Sequence, residues 1–123
     1  MVGLKLCQQA IVQEGTRNVT LVNCFRRLPF KRFPAEAKLF FVCVVLTDGM
    51  GVADLKVSVV SLDDMKDIWT NRWSVRFADP IAERWFTFPV GECSFPKAGT
   101  YQVELTINGE PAARTLLRVT KKK

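Results

Sequence analysis

A basic and aromatic segment between residues 26 and 33 carries the side chains best suited to binding chemistry. Its sequence, R-R-L-P-F-K-R-F, alternates the cations Arg26, Arg27, Lys31 and Arg32 with Leu28, Phe30 and Phe33. Cations that neutralise phosphates, together with rings that stack on bases, are used to bind single-stranded nucleic acid. The same composition suits an anionic membrane surface or an acidic protein partner. A third interpretation, which we favour, is a crossing loop with its Phe rings directed inward and its cations outward.

Two tryptophans form a second candidate contact surface. Trp69 and Trp73 flank the polar residues Thr70, Asn71 and Arg72, so we expect this pair to be partly exposed. Clustered exposed aromatic side chains form a contact patch. Trp85 lies in a strand-like pattern and is expected to fill the core instead. The candidate interaction surface therefore consists of Arg26, Arg27, Phe30, Lys31, Arg32, Trp69 and Trp73.

The residues needed for catalysis or metal binding are poorly represented. The sequence contains no histidine, so neither a Ser-His-Asp nor a Cys-His arrangement can be built, and a Cys/His zinc site is excluded. No two cysteines have C-x-x-C spacing, and Cys7, Cys24, Cys43 and Cys93 are all expected to be buried free thiols. The acidic groups at 63–67 and around Asp48 and Asp54 lack a cation-binding spacing. We predict no enzyme activity and no catalytic, cofactor-binding or metal-binding residues.

Length and charge indicate one domain of ordinary size. The chain has 123 residues and a net charge of +6, of which the basic tail at 121–123 supplies three. We expect a single domain over residues 1–120. The longest apolar run, residues 39–46, is too short to span a bilayer, and no secretory signal is visible. These features predict a cytoplasmic protein without a membrane span.

Strand patterns predict an all-β fold. Alternating apolar residues from Tyr101 to Ile107 lead into Asn108-Gly109, a pair typical of two-residue hairpin turns. About seven to eight short strands follow one another at turn spacings near ten residues. The absence of long helical patterns favours a two-layer antiparallel β-sandwich, and a Tyr at the corner before the penultimate strand is typical of immunoglobulin-like sandwiches. We also expect one short helical turn near 61–67 and an unpaired extended connection through Pro29 and Pro34.

Several stretches together carry a family resemblance. They are the opening L-K-L-C, the run V-T-L-V-N-C-F, Phe33-Pro34, and the closing F-P-K-A-G-T-Y-Q-V-E-L-T-I-N-G-E. The chain resembles, over essentially its whole length, a family of small uncharacterised bacterial proteins with an immunoglobulin-like β-sandwich. The resemblance implies a bacterial, cytoplasmic, single-domain protein. It carries no assigned activity, so no functional residue is transferred.

The sequence does not identify the function, but it ranks the alternatives. The leading hypothesis is a non-catalytic protein-binding or assembly module that uses an edge strand or an exposed sheet face. Its partner would be an unidentified protein or a second copy of the chain. The alternative is binding of nucleic acid or another polyanion through residues 26–33.

Overall fold

The chain is all β wherever its structure is described. The computed structural model describes residues 2–12, 19–46, 51–77 and 84–122, and these contain strands and turns but no helix. No described segment is a helix of the length and apolarity that a membrane span requires. The strands are β1 (Val2–Val12), β2 (Val19–Cys24), β3 (Arg27–Phe30), β4 (Ala35–Glu36), β5 (Phe40–Leu46), β6 (Gly51–Ser61), β7 (Lys66–Phe77), β8 (Arg84–Val90), β9 (Ser94–Phe95), β10 (Gly99–Ile107) and β11 (Glu110–Lys121).

The strands form two larger sheets and one small one. The four-stranded sheet has the order β2-β1-β5-β8, and the five-stranded sheet has the order β3-β11-β10-β6-β7. The short strands β4 and β9 pair with each other. The prediction of seven to eight strands was too low, because β3, β4 and β9 have four residues or fewer and are too short to show a recognisable alternation.

One hydrophobic core is built from both larger sheets. β5 contributes Val42 and Val44, which are fully buried, because it lies in the middle of the four-stranded sheet. β6 and β10 contribute alternate residues such as Leu55 and Val103 from the other sheet. The β-branched and aromatic residues that favour strands are therefore also the residues that fill the space between the sheets.

The predicted hairpin is formed by β10 and β11. Asn108 and Gly109 connect these strands with positive φ angles of 50° and 85°, as a two-residue hairpin turn requires. The Asn108 side chain also accepts a hydrogen bond from the Asp54 amide at 2.9 Å. At the other end of β10, the buried Tyr101 hydroxyl donates a hydrogen bond to the Lys97 carbonyl at 2.7 Å.

The expected helical turn near 61–67 is not formed. Ser61 still belongs to β6, residues 62–65 make a tight turn, and β7 already begins at Lys66. The positive φ of Met65, 56°, reverses the chain within this short turn. Asp63 and Asp64 are exposed and lie within this turn rather than at the start of a helix.

The expectation that all strands pair in antiparallel fashion is wrong at one place. β3 pairs in parallel with the end of β11, and Pro29 is accommodated because β3 is an edge strand whose outer side has no ladder to complete. Asp48 and Lys123 lie outside the described residues.

Candidate functional site

The parallel pairing of β3 and β11 brings two distant basic stretches together. Arg27 lies beside Arg118, and the Arg118 amide donates a hydrogen bond to the Arg26 carbonyl at 2.8 Å. Further along, the Lys122 amide donates to the Phe30 carbonyl at 2.8 Å. Lys121 and Lys122 of the basic tail are therefore held against β3, although about 90 residues separate the two stretches in the sequence.

The outward face of β11 adds more arginines. Leu117 and Val119 point into the core, so the alternation of the strand directs Arg114, Leu116 and Arg118 outward. Leu116 is 54% exposed. We define the arginine patch as these three residues together with Arg26 and Arg27.

Two adjoining open depressions lie in the arginine patch. One, of about 510 Å³, is lined by Arg26, Arg114 and Leu116 together with two polar neighbours. The other, of about 270 Å³, is lined by Arg26, Arg27, Thr100, Leu116 and Arg118. No carboxylate lines either depression. Leu116 is common to both, so an apolar side chain lies at the centre of a cationic rim.

The positive charges of the patch are only partly balanced, because Arg114 lies opposite Glu104 in the β10–β11 pairing while no acidic residue lines the two depressions. None of its four guanidinium groups makes an ion pair with another residue in the described part of the chain. Arg27 and Arg118 lie directly opposite each other, an arrangement that destabilises a sheet when the charges are alike. This arrangement of like charges therefore costs folding stability.

The aromatic rings of the basic segment are turned away from this surface. Phe30 packs against Phe95 with ring centroids 5.9 Å apart, and against Phe33 at 6.1 Å. Phe95 in turn meets Tyr101 edge to face at 4.9 Å. The inward Phe rings and outward cations agree with the favoured interpretation, but the predicted crossing loop is wrong for residues 27–30, which form the paired strand β3.

Lys31 and Arg32 are exposed but lie outside the arginine patch. They follow the end of β3 in a bend, and neither lines the two depressions. The structure thus divides the predicted cations into two groups. Arg26 and Arg27 join β11, whereas Lys31 and Arg32 lie beyond the end of their strand.

The predicted tryptophan pair packs along the edge of the core. Trp69 and Trp73 are half-buried, with ring centroids 6.4 Å apart, and Trp73 lies 4.4 Å from the Phe88 ring. The Trp69 indole N–H donates to the Gly91 carbonyl at 3.0 Å, which connects β7 to the residue after β8. These contacts give the pair a structural role. Trp85, which was expected in the core, is instead 41% exposed, because the alternation of β8 directs Phe88 inward.

Three of the four thiols are buried, as predicted, and none is in a disulfide. Burial raises the pKa of Cys7 and of Cys43, and raises that of Cys93 to about 12. The prediction was wrong for Cys24, which is exposed at the end of the edge strand β2. Among the described residues no group of three or more Cys, Asp or Glu side chains is arranged to hold a metal ion.

Sequence reasoning missed half of the arginine patch. Arg114, Leu116 and Arg118 were not part of the predicted interaction surface. Their alternation with buried residues was the available signal for an outward basic face. Their position next to Arg26 and Arg27 depends on a long-range pairing for which the sequence gives no local signal.

Comparison with known proteins places the chain in a family. Residues 4–120 match the model of a family of unknown function, DUF6941. The chain belongs to DUF6941. No curated protein matches it, and no solved structure does. Membership in DUF6941 therefore supports the proposed resemblance to an uncharacterised family, and the functional proposal must come from the geometry.

Proposed function

We propose that this DUF6941 protein is a non-catalytic binding module that docks an acidic segment of a partner protein on the arginine patch. The observation that carries the proposal is the cluster of four exposed arginines around an exposed leucine. Arginine is one of the residue types enriched at the energetically dominant centres of protein interfaces. Carboxylates are suitable partners because a guanidinium group binds them through two parallel hydrogen bonds.

The position of the aromatic rings favours a protein partner over single-stranded nucleic acid. Stacking on bases needs exposed rings beside the cations, but Phe30 and Phe33 pack against the core. Leu116 is the exposed apolar side chain of the patch. An aliphatic side chain provides little for a base to stack on, whereas it fits against an apolar side chain of a peptide.

The state of the buried thiols supports a non-catalytic role. The raised pKa values of Cys7, Cys43 and Cys93 keep these groups protonated at neutral pH. A thiol reacts as a nucleophile through its thiolate form, so these three buried side chains are poor nucleophiles toward a dissolved substrate. The sequence also lacks histidine, the usual general base.

The fold that presents the patch is, in our proposal, an immunoglobulin-like sandwich. Its support is the shared core, the parallel pairing of β3 with β11, and the Tyr101–Lys97 hydrogen bond. In immunoglobulin-like domains a Tyr near the start of the penultimate strand makes a similar bond to the backbone a few residues upstream. Bacterial origin and a cytoplasmic location stay predictions from the sequence.

Fluorescence anisotropy with a labelled acidic peptide tests the function. The probe alternates Glu with Val, and its control carries Gln in place of Glu. We expect binding of the Glu peptide that weakens as salt rises, because exposed charges are screened. The double variant Arg114→Ala and Arg118→Ala should weaken binding about 5–30-fold, since it removes half of the charges around Leu116.

A matched variant separates the patch from net charge. Lys66→Ala with Arg72→Ala removes the same charge from β7, on the far edge of the same sheet, and should leave the affinity unchanged. Equal losses in the two double variants would contradict a localised site. Tighter binding of a single-stranded oligonucleotide than of the peptide, lost in the Arg114 and Arg118 variant, would establish the nucleic-acid alternative instead.

Self-association stays a second form of the binding proposal. β7 is an edge strand of 12 residues and contains no proline, so its outer side can accept a further strand. Light scattering across a concentration series measures the molar mass in solution. A constant monomer mass at high concentration would contradict assembly through this edge and leave a different protein as the partner.

A further inference from the structure

Three cysteines lie in one row across the four-stranded sheet. Cys24 on β2 pairs directly with Cys7 on β1, and the Cys7 sulfur lies 2.8 Å from the Cys43 sulfur on β5. Their sequence neighbours Leu6 and Val42 belong to the core, so the alternation of the strands directs the row to the opposite face of the sheet. Cys7 thus lies between the other two thiols.

The contact between Cys7 and Cys43 is a thiol hydrogen bond with the sulfurs close together. The Cys7 thiol donates a long hydrogen bond to the Phe41 carbonyl at 3.9 Å, and either thiol can be the donor in the Cys7–Cys43 contact. A disulfide bond is about 2.05 Å long, so bonding these sulfurs requires a movement of less than about 1 Å. The two strands are already held together by a backbone pairing that includes both cysteines and ends at the Cys7–Phe41 pair.

Access to the row differs from one member to the next. Cys24 is exposed, whereas Cys7 and Cys43 have 0% and 1% of their surface accessible. Burial also raises the pKa of both inner thiols, which makes them slow to react with a dissolved oxidant. An oxidant therefore meets Cys24 first.

We propose that Cys24, Cys7 and Cys43 form a thiol-oxidation site that takes a peroxide at the surface and stores the oxidation as a buried Cys7–Cys43 disulfide. In the first step the Cys24 sulfur attacks the peroxide, the O–O bond breaks, and Cys24 becomes a sulfenic acid while the peroxide leaves as water or alcohol. In the second step the Cys7 sulfur attacks the Cys24 sulfur, the S–O bond breaks, and water leaves with the Cys7 proton.

The third step moves the disulfide inward. The Cys43 sulfur attacks the Cys7 sulfur, the Cys7–Cys24 bond breaks, and the Cys43 proton passes to Cys24, which returns to a thiol. Cys43 and Cys24 lie on opposite sides of Cys7 in the strand order, as attacking and leaving sulfurs require. The product joins β1 to β5, the two central strands of the sheet, and leaves Cys24 free to react again.

Peptide mapping after peroxide treatment tests the proposal. The reduced protein is treated with hydrogen peroxide, alkylated, digested, and analysed by mass spectrometry. We expect a Cys7–Cys43 disulfide with Cys24 alkylated. Cys24→Ser should slow the appearance of this disulfide at least about tenfold, because it removes the accessible sulfur. Cys43→Ala, which keeps the site small and apolar, should accumulate the Cys7–Cys24 disulfide.

A control and two opposite results complete the test. Cys93 is buried in the core away from the row, so Cys93→Ser should leave the rate and the disulfide unchanged wherever circular dichroism shows a folded protein. If the Cys7–Cys43 disulfide forms in Cys24→Ser as fast as in the wild-type protein, the proposed transfer of oxidation from Cys24 is wrong. Conversion of Cys24 to a sulfinic acid without any disulfide would also overturn it.

Discussion

Removal of the Tyr101 hydroxyl tests how the β10–β11 hairpin is fixed to the rest of the fold. Tyr101 is 1% exposed, its hydroxyl donates to the Lys97 carbonyl at 2.7 Å, and its ring meets Phe95 at 4.9 Å. Tyr101→Phe keeps the ring contact and removes only the hydrogen bond. The loss leaves the Lys97 carbonyl without this donor, so the free energy of unfolding should fall by about 1–3 kcal/mol.

Urea unfolding followed by tryptophan fluorescence measures this change. With a slope of about 1–3 kcal/mol per molar urea, the midpoint should fall by about 1 M while the slope stays the same. Thr100→Val is the matched control, because it removes a hydroxyl group from the neighbouring residue, which lies on the outer face of the sheet and makes no side-chain hydrogen bond to any described residue. The free energy of unfolding of this control should change by less than about 0.5 kcal/mol. If the two variants unfold at the same urea concentration, the role given to the Tyr101 bond is wrong.

Two further predictions concern the same sheet and the core. Gly109→Ala should reduce the free energy of unfolding by about 1–2 kcal/mol through backbone strain at φ 85°, since nothing lies within 4 Å of an added Cβ atom; an unchanged urea midpoint would contradict this. Burial raises the pKa of Cys93 to about 12 in the folded protein, whereas in the unfolded chain the thiol loses its proton from about pH 9. The contribution of the protonated Cys93 thiol to folding stability is therefore complete below pH 9 and is lost as the pH rises toward 12. Cys93→Ala should therefore flatten the alkaline loss of stability by up to about 1.4 kcal/mol per pH unit, measured by urea unfolding at several pH values, and an identical slope in both proteins would refute it.

Local chemistry accounts for the parts of the fold that the sequence predicts well. The hairpin at Asn108-Gly109 follows from the positive φ angles that these two residues tolerate, and the buried parity of β10 follows from simple alternation. The start of β7 was missed because Lys66 and Asp67 look like exposed helix or loop residues. They are strand residues because β7 is an edge strand with one side open to water.

The candidate site was only half predictable for a different reason. Pro29 gives a strong local signal against strand pairing, yet the edge position of β3 removes the conflict. Which basic residues become neighbours is decided by the register between Arg27 and Arg118, far apart in the chain. The exposure of Cys24 depends in the same way on β2 being an edge strand.

The parallel pairing of β3 with β11 also determines when, during synthesis, the arginine patch can form. About 90 residues separate Arg27 from Arg118, so the two halves of the arginine patch leave the ribosome at well-separated times. A nascent chain that lacks β11 exposes the edges of β3 and β10 and presents only two of the four arginines. The complete cluster of four arginines therefore exists only in molecules in which β11 has been synthesised and has paired with β3.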